Sequence, residues 1–369
     1  MRIAAFILLV GASASAGGQT LGTTPQQANA VWQMQDSGGT AGLRGIDSVD
    51  GNVAWASGSG GTVLKTTDGG AHWEKCAVPD GATDGATLDF RGVQAWDATT
   101  AIVMASGPGD KSRLYKTTDE CETWVLLYKN PDSPDGFFDS FWIDPAYKGV
   151  LVGDPVRGSF AVFETSDEGI TWRRDNSKGL KVGPKPIAGF VASNSLVPRF
   201  GAGYMHGFVT GGQGGTFLIH RWATKYWSRS EIPLGSRTNA SGGFSLAYRV
   251  TPPPPCTDCA GPLYQFTVAV GGDYTKPNAP TGTAAWSSDG GKTWTASIIP
   301  PHGYRSTVQW SESLKLWITA GTNGSDICRD DGRTWQPLDN GNWNALSLPF
   351  IVGPNGRIAH LNPAALPKP

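Results

Sequence analysis

Short apolar runs alternate with polar turns along this chain, and no stretch shows the longer period of an amphipathic helix. Apolar runs at residues 53–58 and 102–107 end in glycine, and further runs at residues 62–65 and 113–116 follow after a turn. Short runs bounded by glycine and aspartate are typical of strands in antiparallel sheets. The pattern therefore predicts an all-β protein.

An eight-residue segment recurs between these strands with the pattern Ser/Thr-x-Asp-x-Gly-x-Ser/Thr-Trp, and we call it the box. Copies lie at residues 66–73, 117–124, 165–172 and 287–294, a weaker copy at 328–335, and a degenerate copy without the aspartate at 219–227. Successive tryptophans are about 40 to 70 residues apart, which is the length of one four-stranded blade with its loops. The repeat predicts an array of equivalent β-sheet units.

The residue types of the box are typical of a tight turn rather than of a catalytic or metal-binding site. Aspartate accepts hydrogen bonds from backbone N–H groups just ahead of it, glycine allows positive φ, and tryptophan buries a large ring. Copies in different units lie far apart, so they cannot form one site. We therefore predict that the box side chains lock turns and that the tryptophans belong to the core: Asp68, Trp73, Asp119, Trp124, Asp167, Trp172, Asp289, Trp294, Asp330 and Trp335.

The boxes resemble those of BNR or Asp-box repeat proteins, in which the box joins the third and fourth strands of a propeller blade. Six units are complete, and residues 344–361 offer three more strands without a box. Residues 30–34 look like a box strand, with Trp32 in the tryptophan position. We predict a seven-bladed β-propeller of four-stranded antiparallel blades over residues 29–362, its ring closed by the N-terminal strand joining the C-terminal blade. Residues 363–369 would form a tail.

The first residues have the composition of an export signal. Arg2 precedes an apolar run, and Ala14-Ser15-Ala16 supplies a small-residue cleavage site. Residues 1–16 are therefore expected to be a cleaved signal peptide and residues 17–28 a flexible segment. The mature protein is expected to be periplasmic or secreted.

Five cysteines in an exported chain favour disulfide bonds. Cys256 and Cys259 follow four prolines and are expected to staple a loop. Cys76 ends the first box strand and Cys121 replaces glycine in the next box, so a bond between neighbouring blades is a further candidate. Cys328 would then be left over, or would compete for one of these partners.

Composition and motifs exclude several functions. The formal net charge is −1, which does not favour nucleic-acid binding, and no apolar run after the leader reaches the length of a membrane span. The five histidines show no metal-ligand spacing, and no dinucleotide fingerprint or haem-attachment motif is present. We therefore expect no metal, no cofactor, and a monomer.

Residues 43–46, 55–58 and 60–70 together resemble the photosystem II assembly and stability factor family. This resemblance implies a seven-bladed propeller that binds polypeptide partners and does not catalyse a reaction. Secreted bacterial relatives often carry the labels oxidoreductase or glycosyl hydrolase by transfer. The residues of this chain give the oxidoreductase label no support.

In a propeller, the starts of the first strands and the loops between second and third strands share one face, opposite the boxes. We call this face the mouth, and we predict that it binds a polypeptide or an anionic ligand, because clustered arginines bind carboxylates. A second interpretation stays open, in which these charges pair with one another and hold the blades in register. The candidates are Arg44, Arg91, Asp139 and Arg305 near the axis, with Asp154, Arg157, Asp273 and Tyr274 around them.

An enzyme is the alternative, because sialidases also carry boxes on propellers and use three arginines on a substrate carboxylate. A sialidase needs in addition a tyrosine paired with a glutamate. The glutamates here lie mostly in or beside the boxes, away from the mouth. Ordinary glycoside hydrolysis would require two carboxyl groups about 5 to 10 Å apart.

Overall fold

A computed structural model describes residues 30–146, 148–198, 206–221, 226–251 and 264–368. Within these ranges the chain forms 27 strands in seven antiparallel sheets, arranged as the blades of a propeller. The helical content there is three short 3-10 turns at Gly85–Thr87, Gly109–Lys111 and Pro363–Ala365. The predicted fold class is confirmed. The expected signal peptide, the 17–28 segment, Cys256 and Cys259 lie outside the described residues.

The strands follow one another blade by blade. Blade 1 contains β2 (Leu43–Ser48), β3 (Ala54–Gly58), β4 (Val63–Thr66) and β5 (Glu74–Lys75); blade 2 contains β6 (Phe90–Ala95), β7 (Ala101–Ala105), β8 (Arg113–Thr117) and β9 (Val125–Lys129). Blade 3 contains β10 (Phe138–Ile143), β11 (Gly149–Val156), β12 (Ser159–Thr165) and β13 (Arg173–Arg174); blade 4 contains β14 (His206–Val209), β15 (Thr216–Arg221) and β16 (Ser228–Ile232). Blade 5 contains β17 (Ser241–Thr251), β18 (Tyr264–Asp273), β19 (Ala284–Ser287) and β20 (Thr295–Ala296); blade 6 contains β21 (Thr307–Ser311), β22 (Leu316–Gly321), β23 (Gly324–Cys328) and β24 (Gln336–Asp339). Blade 7 contains β25 (Ala345–Ser347), β26 (Phe350–Val352), β27 (Ile358–Leu361) and β1 (Trp32–Gln35).

Blade 4 differs from the predicted four-stranded unit. Its described sheet has three strands, and the innermost position is taken by an irregular segment, residues 188–198. The Val209 N–H of β14 donates to the Leu196 carbonyl of this segment at 3.3 Å, and Ala188 forms a bridge with Gly211, just beyond β14. The irregular backbone frees several polar side chains for the axis of the propeller.

Blade 7 combines both ends of the described chain. β1 runs antiparallel to β27, with Trp32 opposite Leu361. The Trp32 indole is buried, donates to the Ser325 hydroxyl at 2.9 Å, and lies 6.1 Å from the Trp343 ring. On the other side of the blade, the Asn344 side-chain amide donates to the Leu43 carbonyl of blade 1 at 2.7 Å.

Five box turns share one set of hydrogen bonds. In each, an aspartate oxygen accepts from the N–H four residues ahead at 2.8 to 3.0 Å. Hydrogen bonds from Thr123 and Thr171 lower the pKa of Asp119 and Asp167 to about 2. In the weaker box, Cys328 takes the place of the Ser/Thr hydroxyl and bonds to Asp330 at 3.0 Å. The aspartates are thus fully engaged in local turn structure.

The box tryptophans are less uniform than predicted. Trp172 and Trp335 are buried, but Trp73, Trp124 and Trp294 are only partly buried. The reason is that these rings cover the edge of a neighbouring blade: Trp73 packs edge-on against Phe350 at 5.6 Å, and the Trp124 indole donates to a carbonyl of the preceding blade at 2.9 Å. The deepest aromatic residues are instead strand residues such as Trp55 and Trp317.

Cys76 and Cys121 form a disulfide bond, with Cα atoms 5.4 Å apart. The bond joins the chain just after β5 of blade 1 to the box turn of blade 2, across 45 residues. Closing a loop of this length removes conformational entropy from the unfolded chain, typically about 2–4 kcal/mol. Cys328 is free and buried.

Candidate functional site at the propeller mouth

A cavity of about 420 Å³ lies at the mouth, on the face opposite the box turns. Residues from all seven blades line it, which makes it the point where the repeat units converge. Its lining includes Arg44, Arg91, Asp139, Asp154, Phe190, Phe244, Tyr274, Tyr304, Ser306 and Asn344. Charged groups from blades 1 to 3 face aromatic and polar groups from blades 4 to 7.

β-bulges place the key side chains of this cavity. Arg44, Arg91, Asp139 and Phe244 are each the extra, unpaired residue where the register of an innermost strand shifts against its neighbour. Asp154 is the extra residue of a further bulge, between β11 and β12. A bulge bends its strand and redirects the side chain it carries. Repetition of the bulge in four blades therefore aims four side chains at one place.

Arg44 and Arg91 form a cationic corner around one carboxylate. Arg91 Nε donates to Asp89 Oδ2 at 2.7 Å, and Arg44 Nε lies 3.8 Å from the same oxygen. The side chains remain 38% and 26% exposed, respectively, so both guanidinium groups have donors left for a ligand. Burial and the neighbouring Arg91 charge lower the pKa of Arg44. Sequence reasoning missed Asp89, which orients both arginines.

Asp139 and Asp154 form an acidic corner beside them. Asp139 is 1% exposed, and its Oδ2 atom has no hydrogen-bond partner. Asp154 Oδ1 accepts from the Gly189 N–H at 3.0 Å. Burial, with a smaller contribution from Asp154, raises the pKa of Asp139 well above its usual range, and burial raises the pKa of Asp154 to about 6. The mouth is therefore a mixed-charge site, in which Arg44 and Arg91 lie beside the predicted candidates Asp139 and Asp154.

An aromatic wall, made of Phe190, Phe244, Tyr274 and Tyr304, closes the other side. Phe190 stacks on Phe244 with ring centroids 4.3 Å apart and planes 14° from parallel. Tyr304 meets Phe244 edge-on at 4.8 Å, and Tyr274 meets it edge-on at 6.2 Å. Tyr274 is 51% exposed and presents its ring to solvent, whereas Phe244 and Tyr304 are buried. Of these residues, only Tyr274 is among the candidates from sequence.

Arg305 is a correction to the predicted site. It does not line the cavity, is 0% exposed, and pairs with the equally buried Asp326, its Nε donating to Asp326 Oδ2 at 2.7 Å. The physical reason is register: blade 6 pairs regularly from Thr307 onward without a bulge, so Tyr304 and Ser306 face the cavity instead. Two arginines, not three, converge at the mouth.

Two of the predicted outer candidates, Arg157 and Asp273, do not line the mouth cavity. Arg157, at the tip of the β11–β12 hairpin, lines a different cavity beside Asp132 and Lys181. Asp273 does not line the mouth cavity and instead accepts from the Thr275 N–H at 3.0 Å and the Thr238 hydroxyl at 3.0 Å. Burial opposes its ionisation, but these hydrogen bonds outweigh burial and lower the pKa of Asp273. Its role is to hold the loop that carries Tyr274.

A second cavity, of about 190 Å³, lies further along the same axis. It is lined by the residues two positions beyond those of the mouth, because alternate side chains of a strand share one face: Ile46, Val93, Leu246, Val308 and Leu346. The blade 4 segment adds Ser193 and Ser195, whose hydroxyls lie 2.6 Å apart, and Ser195 donates to the Ser245 hydroxyl at 2.7 Å. This inner cavity is narrower than the mouth and lacks charged side chains.

Among the residues described, no group of three or more histidine, cysteine, aspartate or glutamate side chains is placed to hold a metal ion. No helix in the described ranges has the length and apolarity to cross a bilayer.

The fold and the convergent mouth define a seven-bladed β-propeller with a central ligand-sized cavity. Solved structures of the same architecture include one titled YCF48 bound to D1 peptide, with a TM-score of 0.59 and 16% identity over 90% of this chain and 97% of that chain. YCF48 from Cyanidioschyzon merolae matches with a TM-score of 0.51 and 17% identity over 91% of this chain and 100% of that chain. At this identity the likeness establishes the fold. No family model matches the sequence, and no curated protein matches it.

Proposed function

We propose that this protein is a non-catalytic propeller that binds a polypeptide segment at its mouth and acts as an assembly or scaffold factor. The observation that carries the proposal is the composition of the cavity. Partly exposed Arg44 and Arg91 stand on one side, and the aromatic wall, with its exposed Tyr274 ring, stands on the other. A protein that only needed to close its axis would fill it with apolar side chains.

The chemistry of these two sides suits an extended peptide. Arginine donates two parallel hydrogen bonds to a carboxylate, and such charge-assisted bonds are worth about 1.5–3 kcal/mol each. Aromatic rings supply contact area at low entropic cost. The structural neighbour whose title names a bound D1 peptide supports a polypeptide as the class of ligand.

A position-specific cross-linking experiment tests the proposal. A photoreactive phenylalanine analogue replaces Tyr274 at the rim of the mouth, and a matched variant carries it at His72, which is 86% exposed on a box turn. We expect polypeptide adducts from position 274 and few from position 72. Equal labelling from both positions, or labelling from position 72 alone, would contradict binding at the mouth.

We also propose that the protein works outside the cytoplasm. The basic and apolar leader supports export. The disulfide between Cys76 and Cys121 supports an oxidising compartment. Mass spectrometry of the mature N-terminus tests this, with cleavage after Ala16 as the expected result.

One observation favours a second function, glycoside hydrolysis. Asp139 and Asp154 bring two carboxyl groups with raised pKa values to the same cavity, as a general acid requires. Against a sialidase-like mechanism, Arg305 is engaged with Asp326, and no glutamate lines the described cavity. A panel of aryl glycosides that includes a sialoside separates the two functions, and turnover abolished by D154N would favour the enzyme.

A further inference from the structure

The acidic corner of the mouth lacks the partners that buried carboxylates normally have. Asp139 and Asp154 are bulge residues of neighbouring strands, and both line the cavity. Within the described part of the chain, neither forms an ion pair with lysine or arginine. The Asp139 Oδ2 atom is buried without any hydrogen-bond partner. Buried polar atoms usually have a hydrogen-bond partner, so an unpartnered carboxyl oxygen on a residue that lines a cavity indicates a group that is completed from outside.

The backbone at Gly189 lies against both carboxyl groups. Its N–H donates to Asp154 Oδ1, and a Cβ atom added to Gly189 would lie 2.2 Å from Asp139 Oδ2. The backbone at Gly189 therefore packs directly on both side chains, and only glycine fits there. The next residue, Phe190, begins the aromatic wall. Carboxylates and aromatic surface thus adjoin at one point of the mouth.

This combination matches a particular kind of ligand group. An alkyl stem packs on aromatic rings, and its charged head reaches a carboxylate or the face of a ring. A divalent metal ion is a poorer match, because it takes six or more oxygen ligands, and two carboxylates beside an apolar wall do not supply them. The neighbouring arginines can hold a carboxylate at the same time. The mouth is therefore suited to a ligand that carries both signs of charge.

We propose that Asp139 and Asp154 form a subsite for a cationic side chain, lysine or arginine, of the polypeptide bound at the mouth, with the stem of that side chain on Phe190 and Phe244. This inference rests on the proposed function and specifies its ligand: a segment in which a basic residue accompanies the acidic group held by Arg44 and Arg91.

Protonation gives the subsite a measurable signature. Burial raises the pKa of both carboxyl groups, that of Asp154 to about 6, so the empty pair is partly protonated at pH 6. The charged and titratable groups facing it are Arg91, Arg44 and Asp89 from blades 1 and 2, Tyr274 from blade 5 and Tyr304 from blade 6. A bound cation favours the ionised pair, so binding at pH 6 must release a proton.

The test uses the full chain and three small probes in titration calorimetry. These are N-acetyl-lysine methylamide, its uncharged analogue N-acetyl-norleucine methylamide, and N-acetyl-aspartate methylamide for the arginines. We expect the lysine probe to bind at least about tenfold more tightly than the norleucine probe, with net proton release at pH 6 in buffers of different ionisation enthalpy. D154N should remove this preference, whereas D110N, an exposed aspartate paired with Lys129, should keep it.

Each result decides the proposal. Equal binding of lysine and norleucine probes, or lysine binding without proton release, would overturn the cationic subsite. If only the aspartate probe binds, and R44Q/R91Q removes that binding, the subsite fails while the peptide-binding function stands. If no probe binds and cross-linking at position 274 also gives no adduct, both fail.

Discussion

The box turns and the mouth use the same residue type in opposite ways. Asp119 accepts hydrogen bonds from the Thr117 hydroxyl, the Thr123 N–H and the Thr123 hydroxyl, and these hydrogen bonds lower its pKa to about 2. Asp139 is buried with one oxygen unpartnered, and burial raises its pKa. The box carboxylate is complete within its own turn, whereas the mouth carboxylate is not. The repeated aspartates of the boxes therefore have a structural role, whereas the carboxyl group without a full set of hydrogen-bond partners belongs to the candidate site.

The largest expected effect is on the stability of the whole propeller, including both the box turns and the mouth. Deleting residues 30–36 removes β1 and the buried Trp32 ring from blade 7. Loss of a buried tryptophan alone costs about 3–5 kcal/mol, and the lost strand pairing adds to this, so the free energy of unfolding should fall by more than about 5 kcal/mol. Chemical denaturation measures it. A truncated protein with unchanged stability would show that β1 does not hold the ring.

A second prediction separates the buried Arg305 from the arginines that line the mouth cavity. R305Q breaks the buried pair with Asp326 and should cost about 3–5 kcal/mol of unfolding free energy, because the buried Asp326 loses its arginine and keeps only His302 as a partner among the described residues. R91Q, its matched control at a partly exposed position, should cost less than about 1 kcal/mol. Similar losses for both variants would assign Arg91 a structural role and weaken the mouth as a ligand site.

The third prediction concerns the effect of a mouth carboxyl group on stability, which should be destabilising when the group is ionised. Because burial raises the pKa of Asp154 to about 6, its ionisation destabilises the folded state increasingly as the pH rises from about 4 through 6. D154N keeps an oxygen for the Gly189 N–H and should stabilise the protein by about 1–3 kcal/mol at pH 8, with no gain at pH 4. Denaturation at the two pH values measures this. Destabilisation at pH 8 would contradict the raised pKa.

The smallest effect is expected on the box face. D289A removes the acceptor for the Thr293 N–H and hydroxyl and should cost about 1 kcal/mol at pH 7. Because the folded pKa of Asp289 is lowered despite partial burial, its contribution is present above pH 4 and is lost as the pH falls further. Thermal unfolding across this range checks it, with K292A on the same turn as a control. A cost that grows toward low pH would refute the turn-lock account.

The fold followed from sequence because it depends on local, repeated signals. The box residues form their hydrogen bonds within eight positions of the sequence. Each copy therefore predicts a turn independently of the rest of the chain. The strand carrying Trp32 was recognisable for the same reason, since it occupies the position of a box strand. Blade 4 was the least predictable blade, because its innermost segment is irregular and follows no strand pattern.

The mouth was predictable in position but not in composition. Arg44, Arg91 and Asp139 were placed correctly at the starts of the first strands, yet Arg305 at the matching position was not. A bulge is decided by pairing with the neighbouring strand, and a shift of one residue reverses the face of every side chain. The aromatic wall depends on contacts between blades 4, 5 and 6, which no local pattern encodes.

The most direct test measures where a peptide binds. A peptide selected from a random library on the immobilised protein is titrated against the wild type, the mouth variant R44Q/R91Q, the charge-matched variant R173Q/R329Q on exposed outer residues, and the box variant D289A. Loss of charge-assisted hydrogen bonds at the mouth should weaken binding at least about tenfold in R44Q/R91Q. The other two variants should stay within about twofold, since they leave the cavity intact. Unchanged affinity in R44Q/R91Q together with a loss in D289A would place the ligand on the box face and contradict the account.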